Sequence, residues 1–235
     1  MNNHKYNKLF YFSLLLLCML FVKTSDAQSD DTNHLESWNS IGVEYKLNKK
    51  WSFELEEQLR LDEDITEIAE YFTQLGAEYS LMKNFKLGGG LRFIRENDNE
   101  GNVQGYENHF RFNVDATYKH KINDFQLKYR LRYQNKNELS VDDYANQQLR
   151  FKTGIEYNIK KWKLDPKFSA EIFNQIGQEN DNGFKKYRLT LGTDYKIKNF
   201  GTIGLFYRLE KELNETIPET TNIIGLKYTY TIKNK

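Results

Sequence analysis

From Ile41 to the end of the chain, apolar and polar residues alternate with a period of two, segment after segment. Successive side chains of a strand point to opposite faces, so this pattern predicts β-strands with one apolar face. Ile41, Val43, Tyr45 and Leu47 alternate with Ser40, Gly42, Glu44 and Lys46. Trp51, Phe53, Leu55, Leu59 and Leu61 alternate with Ser52, Glu54, Glu56, Gln58 and Arg60. The pattern returns around Leu75, Leu91, Val114, Leu131, Phe151, Phe168, Leu191, Leu205 and Leu226, which makes eleven predicted strands. Most are close to the length of about nine to eleven residues that crosses a bilayer at a tilt.

The predicted connections alternate as well. Asn48–Lys50, Met82–Asn84, Lys119–Asp124, Ile159–Lys161 and Ile197–Gly201 are short. Asp62–Glu70, Glu96–Gln104, Asn135–Asp143, Asn174–Gly183 and Lys211–Thr220 are longer and polar. Short turns on one rim and long loops on the other are the arrangement of outer-membrane barrels, with the short side periplasmic. An odd strand number is unusual for such barrels. Residues 28–37 could supply a twelfth strand, thread the lumen as a plug, or leave the first and last strands to close in parallel. The expectation is an all-β, antiparallel up-and-down transmembrane barrel of ten to twelve strands, with twelve favoured.

A small motif recurs where strands run into short turns. Gly42-Val43-Glu44-Tyr45 is matched by Gly76-Ala77-Glu78-Tyr79, Gly154-Ile155-Glu156-Tyr157 and Gly192-Thr193-Asp194-Tyr195. Its tyrosines fall on the apolar face, and the following strand usually opens with another aromatic, as at Trp51, Phe85, Phe125 and Trp162. Tyr45, Trp51, Tyr79, Phe85, Tyr118, Phe125, Tyr157, Trp162, Tyr195 and Tyr228 thus form a predicted aromatic girdle at a membrane interface.

The opposite phase holds the charges. Glu54, Glu56, Glu78, Asp115, Glu156 and Glu171 are expected to interleave with Arg92, Arg111, Arg130, Arg132, Arg150 and Arg188 inside the barrel. A soluble barrel would bury the apolar phase instead, but an interior of ten or more strands is too wide to fill with it easily. Ion pairs across a narrow lumen imply little conductance, and nearly balanced signs imply weak ion selectivity.

The start of the chain reads differently. Lys5 and Lys8 precede an apolar run from Leu9 to Val22, and Ser25-Asp26-Ala27 offers small residues for cleavage. Residues 1–27 therefore read as a signal peptide, residues 28–37 as a linking segment, and residues 38–235 as the barrel. Cys18 is the one cysteine among 235 residues, so disulfide frameworks and thiolate metal sites are excluded. The formal charge of +1, from 34 basic and 33 acidic residues, offers no field for nucleic acid. An aromatic content of 15% argues against disorder.

Chemistry is sparse. A barrel hydrolase acting on lipid or lipopolysaccharide needs a histidine beside a serine. His109 is the candidate, in the lumen phase near a loop rim, but no serine sits at matching depth on an evident neighbour. Asp98–Asn102 and Glu179–Gly183 resemble calcium loops without the full ligand spacing. Gly88-Gly89-Gly90 lies in mid-strand and marks a bend or a place where something packs against the wall. No catalytic, cofactor or metal residue is assigned. The five long loops carry sixteen acidic residues and the five short turns eight lysines. This split suits divalent cations bridging lipopolysaccharide on one rim and phospholipid headgroups on the other.

Two stretches also resemble a known family. Ser37-Trp38-Asn39-Ser40-Ile41-Gly42-Val43-Glu44-Tyr45 and Asn48-Lys49-Lys50-Trp51-Ser52-Phe53-Glu54-Leu55-Glu56-Glu57-Gln58 are similar to the opening of domain-of-unknown-function family 2490. The resemblance runs from about Trp38 to the end. It implies an exported outer-membrane β-barrel of a kind found mainly in Bacteroidota, without assigned activity, and it transfers no site residue. The expected role is structural, transport or interaction. A narrow channel for small polar solutes is the main alternative, and a His109 lipid hydrolase a lesser one. The expected partners are outer-membrane lipid, lipopolysaccharide and the barrel-assembly machinery during insertion.

Overall fold

Strands rich in Tyr, Phe, Val, Ile and Thr pair readily on a pleated surface, and here every one of them finds two neighbours. The computed structural model describes residues 32–98, 104–139, 141, 145–159, 162–177 and 182–234. The expected signal peptide, residues 1–27, lies outside them. The strands are β1 (Thr32–Lys46), β2 (Trp51–Asp62), β3 (Glu67–Met82), β4 (Phe85–Asp98), β5 (Gly105–Ile122) and β6 (Phe125–Glu138). They continue with β7 (Asn146–Tyr157), β8 (Leu164–Ile176), β9 (Gly183–Ile197), β10 (Gly201–Glu212) and β11 (Glu219–Lys233). Consecutive strands pair antiparallel around the ring, and β1 meets β11 to close it.

Closure is parallel. Thr32 pairs with Glu219, Trp38 with Gly225 and Lys46 with Lys233, without a break in register. Eleven strands lie within the expected ten to twelve, one short of the favoured twelve. Residues 32–37, expected as a separate strand or a plug, instead form the first part of β1. Both ends of the strand order run toward the short turns, so an odd ring can only close by a parallel pair.

The strands are longer than the apolar pattern. β5 runs on to Ile122, leaving Asn123 and Asp124 as a two-residue turn instead of the expected Lys119–Asp124. Asn123 has φ of 55°, a left-handed conformation that asparagine tolerates. The connection expected over Asp62–Glu70 shrinks to residues 63–66. Glu63, Asp64 and Ile65 all have positive φ there, and Thr66 N–H donates to Asp62 O at 3.0 Å. Apolar periodicity marks the belt that needs an apolar face; backbone pairing continues past it because the ladder does not need apolar side chains.

The two faces are inverted relative to a soluble protein. Ile41, Leu75, Leu91, Val114 and Leu205 are more than half exposed on the outside. Glu56, Arg92, Asn113, Arg150, Glu171 and Glu210 are buried on the inside. One acid breaks the pattern: Glu57 faces outward and accepts a 2.7 Å hydrogen bond from Thr73 Oγ1 on β3. The glycine run of β4 also finds its reason. A Cβ on Gly90 would stand 2.9 Å from Asn113 Oδ1, so what packs against the wall is the side chain of Asn113.

The register of the seam is directly testable, because the single cysteine lies at position 18. Asn39 and Leu226 are paired, so their Cα atoms should be about 4.8 Å apart, within disulfide reach. Asn39→Cys with Leu226→Cys should cross-link nearly completely under mild oxidation. Asn39→Cys with Tyr230→Cys, displaced by about 13 Å along the strand, should not. The reverse result would contradict parallel closure.

Candidate functional site

The inward residues of a barrel this narrow must either meet one another or leave open space. Here they do both. The centre of the lumen is organised by Glu171 on β8, whose side chain is only 2% exposed. Its Oε1 accepts from Arg130 Nη2 at 2.7 Å and from Arg150 Nε at 3.0 Å, and Arg188 Nη1 stands 3.9 Å from Oε2. Arg150 also donates to Gln134 Oε1 at 2.7 Å. Arg188 reaches on to Glu210 at 2.5 Å. One carboxylate thereby ties together guanidinium groups from β6, β7 and β9.

Around this hub lie further pairs. Arg132 forks onto Asp115 with bonds of 2.6 and 2.7 Å. Arg60 meets Glu70 at 2.6 Å. Lys227 on β11 bridges Glu54 and Glu56 on β2, across the β1 strand. Nearer the short turns, Lys86 pairs with Glu78, and Lys167 pairs with Asp194 and stands 3.9 Å from Glu156.

Aromatic rings inside the lumen were not expected from the sequence. Trp38, Phe72, Phe173 and Phe206 point inward and lie against guanidinium groups. Arg60 sits 3.6 Å from the Trp38 ring centre, Arg92 3.3 Å from Phe72, Arg208 3.9 Å from Phe206 and Arg150 4.2 Å from Phe173. Arginine stacks well because its planar cation is weakly hydrated and its in-plane donors stay free. Phe206 fits only because glycine faces it, since a Cβ on Gly225 would stand 2.0 Å from its ring. The available signal was phase: each ring interrupts the polar series of its strand.

These groups enclose a central cavity of about 570 Å³. Thirteen basic and three acidic side chains line it. The expectation that the signs nearly balance is thus corrected for the centre of the lumen. Of the expected lumen residues, Glu54, Glu56, Arg92, Arg111, Arg130, Arg132, Arg150, Glu171 and Arg188 line this cavity. Glu78 and Asp115 instead line a smaller recess of about 190 Å³ on the β2–β5 side, and Glu156 a third space nearer the short turns.

His109 is buried, with Nε2 3.3 Å from both the Glu96 and Glu107 carboxylates. Its register partners are Ile94 and Glu138. No serine lies beside it in the ladder, and its surroundings are those of a rim ion cluster. The calcium-like stretches at residues 99–102 and 179–181 lie outside the described residues.

The expected girdle aromatics gather at the short-turn end. Trp51 packs on Tyr79 with ring centres 4.8 Å apart, Phe125 on Tyr157 at 4.7 Å, and Phe85 is paired with Tyr118 in the ladder. Tyr45, Trp51, Tyr118, Phe125 and Trp162 are exposed. Tyr195 receives Lys163 Nζ at 3.4 Å, and Tyr228 donates to the Phe200 carbonyl across the β9–β10 turn.

A family profile, described as protein of unknown function (DUF2490), matches residues 35–219, from β1 to the first residue of β11. The chain belongs to this family. The matched span takes in most of β1 and all of β2 to β10 with the lumen residues they carry, so the family resemblance seen in the opening residues extends over ten of the eleven strands. No curated protein matches the chain closely enough to lend it a function.

The hub carries a stability prediction. Removing one partner of a buried ion cluster strands the others without compensation, at a cost of about 3–5 kcal/mol. Glu171→Gln should lower the denaturation midpoint of the folded barrel accordingly. Glu78→Gln, at a half-exposed pair, should cost less than about 1 kcal/mol. Equal effects in a denaturant titration would show that Glu171 is not the hub.

Proposed function

We propose that this protein is an integral outer-membrane β-barrel of a Gram-negative bacterium, exported by a cleaved signal peptide, whose lumen is a closed polar chamber for small solutes. The observation that carries this reading is the inversion of the two faces. A continuous apolar belt on the outside, with aromatic residues at one rim, is unfavourable in water and favourable in hydrocarbon. Lipid, lipopolysaccharide and the barrel-assembly machinery are its partners on this reading. Long side chains from around the wall converge inside, as Arg60, Arg188 and Arg208 do on Trp38. Ion pairs such as Arg130 and Arg188 on Glu171 tie nearby strands, so the lumen is narrow and crowded. A slow or gated passage of small polar solutes suits this geometry better than free diffusion. His109 between two carboxylates gives no support to hydrolysis.

The mature protein should fractionate with outer membranes and migrate faster on gels when left unheated in detergent, because a closed backbone ring resists unfolding. Recovery in the soluble periplasm would overturn the membrane reading. Leu131, nearly half exposed in the middle of β6, provides a finer probe. Leu131→Arg should reduce stability in lipid vesicles by about 2–4 kcal/mol. Gln126→Arg, opposite Glu156 on the inner face, should cost much less.

Conductance tests the closed lumen separately. Planar bilayers containing the wild-type barrel should show little or no steady current. Large, stable single-channel steps would instead establish an open pore.

A further inference from the structure

The central cavity has more cation than its own acids can balance. Four acids outside its lining, Glu70, Glu96, Asp115 and Glu210, pair with cations that line it. Even with these included, six positive charges remain in excess around one cavity. Arg111 and Arg208 show where the excess sits. Each has a buried Nε with no acceptor, and neither forms an ion pair among the described residues. Lys128 and Lys152 line the same space, also without a paired carboxylate. Like charges held together by a low-dielectric wall repel strongly, and this arrangement needs counter-anions.

The aromatic stacks make the site selective in chemistry. Phe206 covers one face of the Arg208 guanidinium and Trp38 stands 5.0 Å from it, so its free donors lie along the edge. Edge-on guanidinium donors match the paired oxygens of phosphate groups better than they match chloride. A volume of about 570 Å³ falls in the range of small-molecule sites and exceeds what a single halide fills. An adjoining space of about 380 Å³ shares Lys128, Arg130, Lys152 and Arg208 with it. Toward the short-turn rim that space adds Lys119, and Lys167 with its partners Asp194 and Glu156. The acidic recess with Glu44, Glu54, Glu78 and Asp115 occupies the other side of the lumen. Among the described residues, the cations shared by the two spaces therefore lie away from the acidic recess.

We propose that the central lumen cavity is a binding site for a multiply charged phosphate-type oxyanion, held by the edges of Arg111 and Arg208 and by Lys128 and Lys152. The inference deepens the reading of the lumen as a solute chamber by naming the class of solute. It holds for the folded barrel in detergent as well as in lipid, so its failure is distinguishable from failure of the membrane reading. An anion borne by water and a phosphate on a lipid headgroup share this chemistry. The inward position of the four cations assigns the site to the former.

The test is calorimetric titration of the barrel, folded in zwitterionic micelles, with inorganic pyrophosphate at constant ionic strength. Saturable binding and a raised melting temperature are expected, with sodium chloride giving neither. Arg111→Gln with Arg208→Gln should keep heat-modifiable mobility and weaken pyrophosphate binding by about tenfold or more, since each removes a charged hydrogen bond. Without ligand, the same variant should melt higher than wild type, because it relieves repulsion. Lys152→Gln should weaken binding in the same direction, and Lys49→Gln, in the β1–β2 turn, should leave it unchanged. Absence of saturable binding, or unchanged affinity in the lumen variants, would overturn the proposal. So would stabilisation seen only when micelles contain diphosphorylated lipid A, which would place the phosphate at the rim.

Discussion

Ring closure is the constraint from which the rest of this structure follows. With its apolar residues turned outward, the protein has no conventional core, and each strand depends on neighbours at both edges to satisfy its backbone groups. Ten of the eleven junctions are antiparallel and joined by local connections. The eleventh, between β1 and β11, joins the two ends of the described chain and must be parallel because both strands run the same way. Its fifteen paired positions compensate for the missing hairpin. This is also why residues 32–37 are drawn into β1, where they lengthen the seam rather than plug the lumen.

The lumen has taken over the role of a core. Rings and guanidinium groups alternate there, with Arg60 on Trp38, Arg92 on Phe72 and Arg150 on Phe173. Such stacks hold long side chains in fixed rotamers and let charge be buried on apolar faces. Glu171 then fixes three of the arginines at once. What the stacks cannot do is neutralise charge, and the cavity is left cationic at its centre. The architecture that stabilises the interior is thus the same one that suits it to anions.

Much of the fold was legible because period-two alternation reports the two faces directly. Leu75, Leu91 and Val114 were assigned outward from phase alone, and they are among the most exposed apolar residues. Strand ends were less legible. Asp62, Glu67 and Glu70 look like loop residues by composition, yet they pair in β2 and β3, because a ladder beyond the apolar belt tolerates any side chain. The inward rings were hidden for a related reason. Phe72, Phe173 and Phe206 sit next to outward apolar residues, so they blur the alternation instead of announcing a site. Charge balance along the chain likewise says nothing about charge at one depth: acids cluster at the rims and in the side recess, while arginines meet in the middle.

The central claim is that the apolar face meets lipid and the charged face meets an enclosed lumen. Nitroxide labels placed one at a time along β6, from Gln126 to Gln134, test it most directly in lipid vesicles. Collision with oxygen, which concentrates in hydrocarbon, should peak at positions 127, 129, 131 and 133. It should fall at 126, 128, 130 and 132, where the labels face inward. Loss of that period-two pattern, or access of a water-soluble relaxation agent to positions 129 and 131, would contradict the account.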